Sequence, residues 1–137
     1  MNKLLIDKEN NIEIKDNVVE LDIQVKELTL NIKGNVLIQE ICKKDNEELK
    51  LTINIEPKSS LIYNRFILHN KANNNITINQ DNNSNMTFNY SMIATDKVEL
   101  TVNSNLSGND NETNIKYGCF YLTKQTYIKR INETLQI

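Results

Sequence analysis

Few side chains in this sequence are of types that do chemistry. There are two cysteines, Cys42 and Cys119, and one histidine, His69. Thiolate is the soft ligand that iron prefers, so the cysteines are the candidate metal or sulfur ligands. Two cysteines without a C-x-x-C pair do not make a metal-site signature, and one chain cannot complete a four-thiolate site. A dimer contributing two cysteines from each copy would. In a reducing compartment both read first as small buried hydrophobes. His69 closes the run Arg65-Phe66-Ile67-Leu68-His69. To act as a base or a ligand it needs partners that the sequence does not reveal, so a strand-end or surface histidine with an ordinary hydrogen bond is expected. The carboxylates Asp45, Glu47 and Glu48, and Asp110 with Glu112, fall in turn-like segments and read as solvated corners. Neither group has calcium-loop spacing. No phosphate-binding glycine loop or nucleophile elbow occurs, and the chain is expected not to be an enzyme.

The elements that position these residues are strands. Apolar residues alternate with polar ones at Leu49, Leu51, Ile53 and Ile55, at Met86, Phe88, Tyr90 and Met92, and at Val98, Leu100 and Val102. A period of two marks strands with one buried face. Strands are expected near 11–15, 18–25, 28–32, 35–42, 48–55, 60–69, 75–80, 86–94, 97–103, 113–123 and 126–131. Residues 43–49 are the only helix-compatible stretch, otherwise a loop, and 70–85 read as a polar segment that bulges outward.

The 137 residues suit one domain, spanning 1–137. The monotony of the pattern and the absence of Asn-Gly or Asp-Gly hairpin turns favour an all-β, single-stranded, right-handed parallel β-helix (a β-solenoid) with two sheets. The hand follows from the general chirality of parallel crossovers. Two strands and two corners take roughly 20–28 residues, a workable coil length. A β-sandwich is the alternative. Asparagine is heavily used; AT-rich codons explain much of it, and its tolerance of left-handed backbone lets it stand in for glycine at corners.

The 18 acidic and 16 basic residues leave a net charge of -2, with the basic residues scattered, which argues against nucleic acid as a partner. The apolar runs fall far short of the roughly 20 residues a membrane helix needs. The start of the chain lacks the apolar region of about 7–15 residues of a signal peptide. A cytoplasmic protein without membrane contact is expected. Near the C-terminus Tyr117, Phe120, Tyr121 and Tyr127 form an aromatic stripe. Apolar side chains fall on both faces of that strand, as at a subunit contact, so these four are the candidate interface.

Residues 48–131 resemble the core domain of SufB and SufD, the paired β-helix scaffolds of iron–sulfur cluster assembly. The resemblance lies in the Pro57 corner between Ile53-Asn54-Ile55 and Leu61-Ile62-Tyr63, in Met86-Thr87-Phe88-Asn89-Tyr90, and in the strand from Val98 into the Leu106-x-Gly108 corner. The following strand continues it with Gly118, Phe120 and Leu122. It implies a parallel β-helix that works through protein–protein contacts. The implied partners are a second copy or a longer SufB-like chain, and a SufC-like ATPase. No cofactor is expected in the isolated chain, although a transient iron–sulfur cluster is compatible with the family. The helical regions of the full-length relatives have no counterpart here. No functional residue of the family transfers; Leu106 and Gly108 transfer as corner structure.

Overall fold

Alternating side chains leave each strand with one apolar face, and the chain buries that face by winding upon itself. The computed structural model describes residues 1–121 and 127–136. Its strands are β1 (Asn2–Ile6), β2 (Asn11–Ile23), β3 (Glu27–Ile55), β4 (Ser60–Gln80), β5 (Asn85–Ala94), β6 (Val98–Ser107), β7 (Glu112–Tyr121) and β8 (Tyr127–Gln136). Every pairing between these elements is parallel. That defines a β-solenoid and excludes the antiparallel sandwich. Among the described residues no helix is long and apolar enough to cross a membrane.

Each residue sits over its equivalent one coil later. Val19, Ile38, Tyr63, Phe88 and Ile115 make one such column. Leu51, Ile76 and Val102 make another, on the opposite face. Apart from the half-buried Ile115 these side chains are buried, each burial stabilising by about 1.5–3 kcal/mol. The coil lengthens along the chain. Partners lie 17 residues apart at Asn2↔Val19, 25 apart at Asn35↔Ser60 and 29 apart at Val98↔Tyr127.

Two expectations need correction, and one strand is added to those expected. Residues 43–49 are neither helix nor loop, because β3 runs through them and pairs in register with β4, from Lys44↔His69 to Asn46↔Lys71. Residues 70–80 do not bulge, because β4 continues through the same corner to Gln80. Asn2–Ile6 is a strand, held by pairing to β2 from Asn2↔Val19 to Ile6↔Ile23.

The opposite corner is made by left-handed backbone at stacked positions: Asp16 (φ 42°), Gly34 (φ 75°), Lys58 (φ 60°), Asn83 (φ 56°) and Asp110 (φ 58°). Asn83 there does what glycine does elsewhere. At Gly34 no side chain fits, since a Cβ would lie 1.9 Å from Asp16 Oδ1, which accepts from the Asn35 amide at 2.8 Å. Gly108 (φ 85°) follows β6 against Asn82, so the Leu106-x-Gly108 segment is a corner.

Asparagine also has a second role. Asn54, Asn79 and Asn105 each donate from Nδ2 to the Oδ1 of the residue one coil below, at 3.1, 2.9 and 2.8 Å, and Asn31 ends the ladder by donating at 2.6 Å to Asn11, two residues from its register partner Glu13. The 4.7–4.9 Å strand spacing brings identical amides into donor–acceptor contact.

Candidate functional site

Inside the solenoid a patch of the core carries charge. Glu40, Cys42 and Glu47 come from β3, Tyr63, Arg65, His69 and Asn74 from β4, and Tyr90 from β5, and all are buried. The parallel register places Glu40, Arg65 and Tyr90 in one inward column. Columns that are aliphatic elsewhere are polar here because the coil has just lengthened. Leu21 pairs with Glu40 across a 19-residue offset, and Glu40 with Arg65 across 25. The added residues form the corner at 43–47, which widens the interior.

Arg65 is the hub. Its Nε donates to Glu40 Oε1 at 2.8 Å, its Nη1 to Asn74 Oδ1 at 2.5 Å, and its Nη2 to Glu47 Oε1. Its guanidinium lies 5.7 Å from the centre of the Tyr90 ring, a cation–π contact. Tyr90 Oη donates to Asn74 Oδ1 at 2.7 Å, and Asn74 Nδ2 to Glu47 Oε1 at 3.0 Å. Tyr63 Oη donates to Glu40 Oε1 at 2.5 Å. Burial disfavours the charged guanidinium, but Glu40 and Glu47 outweigh it, so Arg65 stays a cation.

The two carboxylates are driven in opposite directions. Burial is the largest influence on Glu40 and raises its pKa, against the lowering effects of Arg65 and the Tyr63 hydrogen bond. Burial also opposes ionisation of Glu47, but the Arg65 guanidinium and the hydrogen bonds donated by Arg65 and Cys42 hold its carboxyl well below the usual range.

Beside Glu47 stand the other two chemistry-bearing groups. The Cys42 thiol donates to Glu47 Oε2 at 2.9 Å. Burial first, then the bond and charge of Glu47, push this thiol up to about 12. His69 Nδ1 contacts the Lys44 carbonyl oxygen at 2.5 Å, and its Nε2 lies 3.8 Å from Glu47 Oε1, too far for a hydrogen bond. One donor atom from each of Cys42, Glu47 and His69 lies within 4.8 Å of the others, a spacing that suits a shared metal ion.

His69 thus has its ordinary hydrogen bond, but it is buried and lies within β4 rather than at a strand end. Glu47 is no solvated corner. It is 3 % exposed, while Asp45, Glu48, Asp110 and Glu112 are exposed as expected. Cys42 is buried and Cys119 half-buried. Tyr117 is 39 % exposed in β7, and the side chains of Phe120, Tyr121 and Tyr127 lie outside the described residues. The sequence reading missed Glu40, Arg65 and Asn74. Their signal is phase, since each occupies an inward position of an alternating run, Val36-x-Ile38-x-Glu40, Leu61-x-Tyr63-x-Arg65-x-Ile67 and Ala72-x-Asn74-x-Ile76.

No family model, curated protein or solved structure matches the chain.

Proposed function

We propose that this chain is a non-catalytic scaffold that works through protein–protein contacts, a reduced SufB/SufD-like accessory of iron–sulfur cluster assembly in the cytoplasm. In this reading it pairs with itself or with a longer SufB-like chain, with a SufC-like ATPase as a further partner. The observation that carries the reading is parallel coiling of the described residues within 48–131, the fold that the resemblance in that stretch implies. The buried ionic cluster supports it, because Arg65 is committed to Glu40, Glu47 and Asn74, as suits a framework. The outer surface also offers contact features. Val18, Leu37 and Ile62 stand side by side on successive coils, with Val18 42 % and Ile62 44 % exposed. Among the described residues no strand pairs beyond β7 and β8, an edge of the kind that accepts another chain.

One observation favours a second reading, an interaction module unconnected to iron or sulfur. Cys42 and Cys119 are not brought together. They are three coil steps apart in one column, roughly 14 Å at the usual strand spacing, and cannot share a cluster within one chain.

Co-purification of the tagged chain from its native host under anaerobic conditions, with iron and sulfide assayed, separates the readings. A SufB-like or SufC-like partner is the expected result. A colourless self-oligomer with neither partner nor iron overturns the iron–sulfur assignment and leaves the interaction module.

A further inference from the structure

The carboxylate, thiol and imidazole beside the coil-widening corner have a geometry that the ion network does not use. Arg65 and Asn74 both donate to Glu47 Oε1, which fixes the carboxylate and leaves Oε2 facing Cys42 Sγ. The Lys44 carbonyl only accepts, so its contact places the His69 proton on Nδ1. In the neutral ring Nε2 is then a bare lone pair. It is buried, has no hydrogen-bond partner, and belongs to a side chain 0 % exposed. A buried polar atom without a partner costs roughly 1–3 kcal/mol. A histidine whose other nitrogen is tied to a backbone carbonyl is also the usual form of a metal-ligating histidine, tautomer and ring orientation both being set by that bond.

We propose that Cys42 Sγ, Glu47 Oε2 and His69 Nε2 form a three-donor site for a single divalent transition-metal ion of the zinc and ferrous class. One sulfur, one nitrogen and one oxygen are the donors that such ions take in tetrahedral sites with an open fourth position. The charges close with Glu40 counted: the Cys42 thiolate, Glu47 and Glu40 balance a doubly charged ion and Arg65. On binding, the Cys42 S–H bond gives up its proton to solvent and the sulfur forms the metal bond, with no change in oxidation state. Access comes from the widening of the coil. A cleft of about 450 Å³ opens where the short early coils meet the longer ones, and Cys42 lines it with Leu5, Leu21, Gln24 and Lys44. Lys44 closes the corner by donating from Nζ to the Ile23 carbonyl at 2.7 Å.

The site is independent of the scaffold reading and is tested on the whole purified chain. In the Cys119→Ser variant Cys42 is the only thiol, so a thiolate-to-cobalt charge-transfer band on titration with Co²⁺ reports Cys42 alone. The expected result is that band at one ion per chain, displaced by Zn²⁺, with a rise in melting temperature on adding Zn²⁺. His69→Ala, if folded, is expected to lose the band; if it does not fold, the nitrogen donor is read from X-ray absorption of the cobalt-loaded Cys119→Ser chain. No charge-transfer band in Cys119→Ser, or sulfur and oxygen donors without imidazole nitrogen, overturns the proposal and leaves the three groups as a proton-sharing network.

Discussion

Cys42 and Cys119 stand in one inward column, separated by Ile67 and Met92. They point into the same core without meeting, so an intrachain disulfide would require the coil to come apart.

The thiols are therefore expected to differ in reactivity. The thiolate is the reactive form, and burial together with Glu47 pushes Cys42 up to about 12. In a metal-free Cys119→Ser chain, a thiol reagent at neutral pH should find no reactive cysteine in the native protein and one after unfolding. Rapid native labelling would show that Cys42 is more open than its 6 % exposure implies.

Glu40 and Glu47 both bond to Arg65, yet their neutral variants should behave differently. Glu47→Gln removes the anion nearest the guanidinium. Breaking a buried pair on one side costs about 3–5 kcal/mol. Glu40→Gln removes a charge whose ionisation burial opposes and keeps an oxygen toward Arg65 and Tyr63, so it should cost less than Glu47→Gln, roughly 1 kcal/mol. Urea unfolding of the two variants measures this, and equal losses would mean that the two carboxylates do not differ in ionisation.

The same carboxylates set the pH response. The folded pKa of Glu47 is depressed below its ordinary 4.5, so its contribution is present above that value and is lost as pH falls below it toward the folded pKa. Glu40 has the opposite sign. Its raised pKa favours folding at low pH, and that contribution is lost as pH rises through the folded value. The stability gap between wild type and Glu47→Gln should therefore narrow on acidification below about 4.5, as seen in denaturant midpoints measured across that range. A gap independent of pH would show that Glu47 is not ionised in the folded protein.

Asn54 lies mid-ladder, donating to Asn31 and accepting from Asn79. Asn54→Ala removes both bonds and should lower stability by about 1–2 kcal/mol. Asn54→Asp with Asn79→Asp sets like charges one strand spacing apart and should cost more than the two single changes added. Strict additivity in a double-mutant cycle would mean that the ladder is decoration.

Most of the architecture was legible because a period of two is a local signal. Leu49, Leu51, Ile53 and Ile55 announce their inward face without reference to the rest of the chain. The site was not legible, for a reason visible at one corner. Cys42 and Glu47 both point inward although they are five positions apart, an odd number, so the alternation changes phase between them. A reader carrying the phase forward from Val36 and Ile38 puts Glu47 outside. The same shift hides His69 from Ala72 and Asn74. Arg65 kept its phase and was hidden by type instead, because a buried arginine makes sense only once Glu40 and Glu47, 25 and 18 residues away, are seen to answer it. The asparagine ladder was invisible for a third reason, since only the coil offset makes Asn31, Asn54, Asn79 and Asn105 neighbours.

The steady lengthening of the coil bears on how copies of this chain meet. Uniform parallel rungs would let one molecule continue the next into a fibre. Here a copy docked head to tail would set a rung of the 29-residue class against one of the 17-residue class. The backbones would drift out of step within a few residues and leave the wider core uncovered. The taper makes β1 and β8 unlike, so a head-to-tail contact between these two strands is mismatched in shape.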